Sequence, residues 1–288
     1  MADARTIPDP ANPLTFAGLG LDEPRLMGVV NVTPDSFSDG GEALRADAAV
    51  ARGRALVADG ADIIDVGGES TRPGAEPVPV ELELARVVPV VRALAADGVL
   101  VSVDTRRAEV MDAALEAGAR IVNDVTALAD MRAAGIVAER GASVVLMHMQ
   151  GEPATMQDDP VYGDAACEVR DELAARVAAC EAAGIDRARI AIDPGIGFGK
   201  TAAHNIDILA RLDIFQDLGC AIVVGVSRKS FISRIDRPVP PKQRLAGSVA
   251  AGLAAIAAGA HILRVHDVAE TRQALAVWRA IAANNPVP

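Results

Sequence analysis

The chain is expected to fold as one α/β domain, a closed (β/α)8 TIM barrel, and three observations predict this. Eight short apolar runs recur along 288 residues, one per about 36 residues, which is the length of one strand-loop-helix-loop unit. The runs are continuous rather than alternating, the pattern of strands buried on both faces in a parallel sheet. Nearly every run closes on a residue that can do chemistry: Asn31, Asp104, Asn123, His148, Asp193, Ser227-Arg228-Lys229 and Arg264-Val265-His266. That is the end of the strands at which a parallel barrel builds its site. A doubly wound open sheet is the alternative, but chemistry after both the first and the last strand favours closure.

The elements follow in order. Residues 1–24 are expected to be an N-terminal extension over the barrel bottom or edge, and residues 25–288 the barrel. The strands are placed at Leu26–Asn31, Ile63–Val66, Val99–Asp104, Ile121–Asp124, Ser143–Met147, Ile190–Asp193, Ala221–Val226 and Ile262–Val265. Four of them are introduced by the same local pattern: Gly60-Ala61-Asp62-Ile63, Gly118-Ala119-Arg120-Ile121, Gly141-Ala142-Ser143-Val144 and Gly259-Ala260-His261-Ile262. A glycine just past a helix takes the left-handed cap, and the β-branched residues after it favour extension. Gly98, Gly184 and Gly219 precede strands in the same way. Ala-rich stretches between them read as helices, at Asp47–Asp59, Val80–Ala96, Ala108–Ala117, Met131–Glu139 and Asp164–Ala183.

Composition narrows the function classes. Hydrophobic residues make up 51% of the chain and aromatic ones 2%, so Val, Ile, Leu and Ala must fill the core. The formal net charge of −11 argues against nucleic acid or an anionic membrane surface as partner, since phosphate binding needs a cationic footprint. Cys167, Cys180 and Cys220 lack metal-ligand spacing and read as reduced cytosolic thiols. The N-terminus has neither the basic region nor the apolar core of a signal peptide, so a cytoplasmic protein is expected. The uncharged stretch from Leu245 to Leu263 contains Ser248 and His261 and much Ala and Gly. It reads as a buried helix running into a strand rather than a membrane span.

The loops carry the chemistry. After the first strand, Asn31 to Gly41 contains Pro34, two glycines and Phe37, and is longer than a minimal connection, as mobile lids are. After the second, Gly67-Gly68-Glu69-Ser70-Thr71-Arg72-Pro73-Gly74 combines close backbone approach, hydroxyl donors and an arginine fork. A phosphate or carboxylate is its natural guest. Asp104, Asn123 and Asp193 end three strands, and their acceptors suit a flat, donor-rich heterocycle such as a pterin edge.

The stretch Pro194-Gly195-Ile196-Gly197-Phe198-Gly199-Lys200-Thr201 imitates a P-loop but has Pro194 where the pattern needs glycine. It reads instead as a Gly-rich loop presenting Phe198 to a ligand. Arg264 and His266, two apart in an extended segment, should face one side and could grip one polyanion together. Lys229 could donate to the ligand or act as a Schiff-base nucleophile.

These motifs, spread in order from Leu26 to the end, closely resemble those of the dihydropteroate synthases, enzymes of the pterin-binding family. The residues that carry the resemblance are the Asn31-to-Gly41 and Gly68-to-Gly74 loops, Val103-Asp104, Val122-Asn123-Asp124, Asp193-Pro194-Gly195, Ser227 to Ser230 and Arg264-Val265-His266. The resemblance implies a reaction of 6-hydroxymethyl-7,8-dihydropterin diphosphate with p-aminobenzoate, giving 7,8-dihydropteroate and pyrophosphate, with magnesium bound to the diphosphate.

It also implies roles. Asp104, Asn123, Met147, Asp193, Phe198 and Lys229 would hold the pterin, with Asp104, Asp193 and Lys229 catalytic. Phe37, Thr71, Arg72, Pro73, Lys229 and Ser230 would line the p-aminobenzoate site. Asn31, Thr71, Arg72, Arg264 and His266 would hold pyrophosphate, with Asn31 on the magnesium. Sulfonamide sensitivity and a homodimer built through the Ala-rich C-terminal helices are further expectations. Two rival readings are a corrinoid-linked methyltetrahydrofolate methyltransferase, which needs no diphosphate clamp, and a Schiff-base aldolase using Lys229.

Overall fold

In a computed structural model that describes residues 14–33, 42–69, 78–151 and 155–282, a short antiparallel pair precedes the barrel: β1 (Thr15–Phe16) and β2 (Leu19–Gly20). Eight parallel strands follow: β3 (Arg25–Asn31), β4 (Ile63–Gly67), β5 (Val101–Asp104), β6 (Ile121–Asp124), β7 (Ser143–Met147), β8 (Ile190–Asp193), β9 (Ala221–Val224) and β10 (Ile262–Val265). They pair in sequence order, and β10 closes the barrel on β3.

The connections are helical: α1 (Glu42–Ala58), α2 (Val80–Ala96), α3 (Ala108–Glu116), α4 (Met131–Arg140), α5 (Ala165–Ala182), α6 (Ala202–Ala210), α7 (Ser230–Ile235), α8 (Leu245–Ala257) and α9 (Val268–Ala282). The predicted (β/α)8 barrel is the fold observed. The uncharged 245–263 stretch becomes α8 running into β10. Among the described residues no helix is long and apolar enough to cross a membrane.

The local signals act as the physics requires. Gly60, Gly118, Gly141 and Gly259 all have positive φ, from 61° at Gly141 to 114° at Gly118, so each reverses the chain from helix into strand. Asp164 and Asp130 cap α5 and α4 through their side chains, accepting from Cys167 N and Arg132 N. Some boundaries differ from expectation for identifiable reasons. β5 starts at Val101 rather than Val99, because the Val99 N–H is spent on the Leu94 carbonyl at the end of α2 (3.1 Å). β9 stops at Val224 rather than Val226, whose carbonyl instead accepts from Lys229 N (3.4 Å) and starts a turn. α1 begins at Glu42, five residues before the expected Asp47.

The strands read as unbroken apolar runs because both faces are buried, yet the two faces do different work. Leu26, Ile64, Val66, Val122, Val144, Ile192 and Leu263 join the outer core between strands and helices. Met27, Ile63, Ile121, Val145, Ala191 and Ile262 form a separate inner cluster, together with Phe16 and Leu21 from around the β1–β2 hairpin. Side chains two residues further along a strand keep the same face. Stepping up by two from this inner layer gives Asp65, Asn123, Met147, Asp193 and Arg264. The barrel interior thus changes from apolar to charged within one layer, at the C-terminal end of the strands.

Candidate active site

Strand register brings the strand-end residues side by side. Asn31 lies opposite Gly67, Gly67 opposite Asp104, and Asp104 opposite Asn123. On the far side of the ring Met147 lies opposite Asp193. A Cβ on Gly67 would come within 3.6 Å of both Asn31 Oδ1 and Asp104 Oδ2. The glycine therefore keeps open the space between the amide and the carboxylate. Asp104, Asn123, Met147 and Asp193 are all buried.

Arg264 is the electrostatic centre of this ring. Its Nε donates to Asp65 Oδ2 (2.7 Å) and its Nη2 to Asp104 Oδ2 (2.6 Å). Asp65 Oδ2 also accepts from Asn123 Nδ2 at 3.1 Å, while Asp65 Oδ1 has no protein partner among the described residues. A charge taken out of water must be paired to be tolerated, and here two carboxylates and one guanidinium share that task. Burial raises Asp104 above the usual carboxylate range; Arg264 opposes this and the Asp65 carboxylate adds to it. Burial would lower Arg264, but the Asp65 and Asp104 carboxylates outweigh it and hold the guanidinium above its ordinary value. Arg264 carries five N–H groups, and two are committed here, so three remain for a ligand.

Lys229 is placed by strain. The preceding residue, Arg228, has φ 60°, a left-handed conformation that costs a non-glycine residue on the order of 1–2 kcal/mol. It is held there from several sides: its N–H donates to Ser248 Oγ (2.8 Å), its guanidinium pairs with Asp267, and its carbonyl accepts from Arg244 Nη1 (2.8 Å). Lys229 then turns into the barrel mouth, where Nζ donates to the Ile196 carbonyl and lies 4.5 Å from the centroid of the Phe198 ring. Burial lowers the Lys229 ammonium to about 8, Asp193 pulling it back up and Arg264 pushing it further down. Asp193 is raised by burial against the pull of Lys229, and its Oδ1 accepts from Gly195 N at 2.7 Å. Asp193, Lys229 and Phe198 thus gather at the ends of β8 and β9, and Arg264 ties the end of β10 to Asp65 and Asp104, with Asn123 beside them.

The remaining expected residues divide. His266 lies beside Ser227, its Nδ1 3.1 Å from Ser227 Oγ and its backbone N–H donating to the same oxygen. Ser230 is exposed and opens α7. Phe37, Thr71, Arg72 and Pro73 lie outside the described residues, as do most of the loops after the first two barrel strands. The ends of the second loop are tied together, because Val78 N donates to Glu69 Oε1 (3.0 Å) and both Arg106 and Arg107 pair with Glu69. Asp124, part of the Val122-Asn123-Asp124 motif, faces away from the site. It accepts from Thr126 N, Thr126 Oγ1 and Leu128 N and so builds the turn after β6.

Sequence reasoning missed Asp65 and Lys200. Asp65 is a fully buried carboxylate inside an apolar run, in phase with the inward-facing Ile63. That phase was the available signal. Lys200 occupies the lysine position of a phosphate-loop look-alike, whereas the residue is 2% exposed and its side chain turns into the protein, onto His148.

With this geometry in place, comparison with known proteins is direct. Residues 27–266 match the family described as pterin binding enzyme. The dihydropteroate synthase of Escherichia coli (strain K12) is 48% identical over 263 residues, covering 91% of this chain and 93% of its own. The structure of Xanthomonas albilineans dihydropteroate synthase with 4-aminobenzoic acid superposes with a TM-score of 0.87 at 52% identity, covering 94% of this chain and 96% of that one. The same enzyme in complex with 7,8-dihydropteroate gives 0.85 at 48%, covering 96% and 100%. The chain belongs to the pterin binding enzyme family, and within it to the dihydropteroate synthases.

Proposed function

We propose that the chain joins 6-hydroxymethyl-7,8-dihydropterin diphosphate to p-aminobenzoate, giving 7,8-dihydropteroate and pyrophosphate for folate synthesis. The observation that carries this reading is the set of buried strand-end acceptors Asp104, Asn123 and Asp193, with Arg264 bound to Asp104 and Lys229 held at the Ile196 carbonyl beside the Phe198 ring. It offers carboxylate and amide acceptors for a donor-rich ring, a cation beside them, and spare guanidinium donors for a departing anion. The relatives' bound ligands fit the same chemistry.

The pterin edge is assigned to Asp104, Asn123, Asp193 and Lys229, with Met147 and Phe198 flanking the ring. Asn31, Arg264 and His266, joined by Thr71 and Arg72, take the diphosphate. Phe37, Thr71, Arg72, Pro73, Lys229 and Ser230 take p-aminobenzoate, and a sulfonamide of the same shape would compete there.

Magnesium fits as a companion of the diphosphate. It typically binds one or two protein oxygens and fills its shell with phosphate oxygens and water. The Asn31 side-chain oxygen, in the space that a Cβ on Gly67 would narrow, is the residue to hold it. When bound, the ion neutralises charge on the leaving diphosphate.

Cleavage of the bond between the methylene carbon and the diphosphate oxygen precedes attack, in an SN1-like sequence. Both electrons leave with pyrophosphate, which Arg264 and His266 hold. The pterin-methyl cation left behind is opposed by Asp104 and Asp193, whose carboxylates gain most stabilisation as positive charge develops beside them. The aniline nitrogen then attacks with its lone pair and loses a proton afterwards, so no general base is needed beforehand.

The reading includes action in the cytoplasm and a homodimer. Val277 and Ile281, one turn apart and exposed on α9, offer an apolar stripe suited to pairing. The test of the pterin assignment is Asp193→Asn, which replaces an acceptor with a donor. It should lose on the order of 2 kcal/mol of pterin affinity by calorimetry, and unchanged affinity refutes the assignment.

A further inference from the structure

Lys200 is a buried cation that the proposed mechanism does not use. Its Nζ donates to the Phe198 carbonyl (2.9 Å) and to His148 Nδ1 (2.9 Å), and lies 3.4 Å from the His148 carbonyl. In its ammonium form Lys200 has three donors and no lone pair, so these three acceptors satisfy it and His148 Nδ1 takes the acceptor role. The imidazole is then the neutral Nε2–H form, and Nε2 donates to Glu172 Oε2 at 3.1 Å. Burial, with Lys200 beside it, lowers His148 to about 3, which agrees with a neutral ring. A donor chain therefore runs from Lys200 through His148 to a carboxylate on α5 whose side chain is 63% exposed.

The Lys200 end of these hydrogen bonds is anchored on the loop that carries Phe198. Five consecutive carbonyls of that loop each accept a hydrogen bond: Gly195 from Phe198 N (3.0 Å), Ile196 from Lys229 Nζ, Gly197 from Gln157 Nε2 (2.8 Å), Phe198 from Lys200 and Gly199 from Tyr162 Oη (2.9 Å). The backbone also lies directly on the segment after β7, since a Cβ on Gly195 would be 1.8 Å from the His148 carbonyl. Nothing but glycine fits at that distance.

We infer that Lys200, held by His148 and Glu172, is a positioning residue for the ring pocket. It fixes the 195–200 loop so that the Phe198 ring and the carbonyl that receives Lys229 stand in place before the pterin arrives. A site set in advance spends less of its binding energy on ordering its own loop. This rests on the proposed reading of Phe198 and Lys229 as pterin contacts.

The experiment measures dissociation constants of the full-length protein for 6-hydroxymethylpterin, which probes the ring pocket, and for inorganic pyrophosphate, which probes the anion side. Lys200→Met should raise the pterin constant at least tenfold and leave the pyrophosphate constant within twofold. A pterin constant within twofold of the unsubstituted protein overturns the inference.

Glu172→Ala, at an exposed carboxylate, covers the case in which Lys200→Met does not fold. It should weaken pterin binding two- to fivefold and move the imidazole 15N resonances of His148 away from the Nε2–H pattern. Glu172→Gln, which keeps an acceptor, should restore both. Unchanged resonances and affinity in Glu172→Ala overturn the relay. Phe198→Ala separates the two levels: tenfold weakening there without any effect of Lys200→Met sinks this inference alone. No effect of Phe198→Ala sinks the ring-pocket reading and the inference with it.

Discussion

Arg264 on β10 and Asp65 on β4, 199 residues apart in sequence, meet inside the barrel with Nε 2.7 Å from Oδ2. The pair sets which face of the guanidinium remains for substrate. Asp65 takes the Nε edge, Asp104 takes one Nη2 hydrogen, and the rest of the fork is left toward the mouth. Asp65→Ala strips Arg264 and Asn123 of this shared acceptor. Removing one partner of a buried pair costs about 3–5 kcal/mol, so urea unfolding should show a loss of that order and pyrophosphate binding should weaken along with it. Full retention of both would mean that Asp65 does not hold Arg264.

Lys229 gives the site a pH dependence. Its ammonium is lowered to about 8, with burial the main cause, so the free protein loses this charge just above neutrality. Pterin affinity should fall severalfold between pH 7 and 9.5. Lys229→Arg stays charged throughout that range and should bind more weakly but with a flat profile. Calorimetric titration at several pH values distinguishes the two.

Stability should move in the opposite direction with pH. Burial lowers Lys200 from 10.5 to about 7 and Lys229 from 10.5 to about 8. Between those values and 10.5 the unfolded chain binds more protons than the folded one, so their contribution to stability rises with pH across that window and is least below pH 7. Lys200→Met removes one of the two. The slope of unfolding free energy between pH 8 and 10 should drop by up to about 1.4 kcal/mol per pH unit. An identical slope would show that burial does not lower Lys200.

Ser248→Ala tests the support beneath Lys229. Ser248 Oγ accepts the Arg228 N–H (2.8 Å) and donates to the Arg244 carbonyl (2.8 Å). Losing it leaves the left-handed Arg228 peptide with a buried, unsatisfied donor, at a cost of about 1–3 kcal/mol. The expected outcome is a matching loss in unfolding free energy and a several-fold rise in the pterin KM. A stability loss with an unchanged KM would place Ser248 in the scaffold only.

Much of this was legible because strand-end chemistry and helix-stop glycines are local signals. The limits of β6, β7, β8 and β10 coincide with the expected Ile121–Asp124, Ser143–Met147, Ile190–Asp193 and Ile262–Val265. Asp65 was not legible from its neighbours. It stands in mid-strand, and its value comes from Arg264 and Asn123, which the closed barrel brings to it from the strands two places away on either side. Lys200 was obscured for another reason: its glycine-rich surroundings resemble a phosphate loop, while the direction of the side chain is set by His148, on a different strand end. Arg264 and His266 share a strand-end position, as their spacing implies; β4 and β5 supply carboxylates to Arg264, and Ser227 after β9 supplies a hydroxyl to His266.

The central claim is the reaction itself, and pyrophosphate release by the purified full-length protein tests it most directly. With 6-hydroxymethyl-7,8-dihydropterin diphosphate and magnesium present, release should require p-aminobenzoate, match dihydropteroate formed one for one, and be abolished by Asp193→Asn. Turnover of the diphosphate at the same rate without p-aminobenzoate, or no release with both substrates, would contradict it.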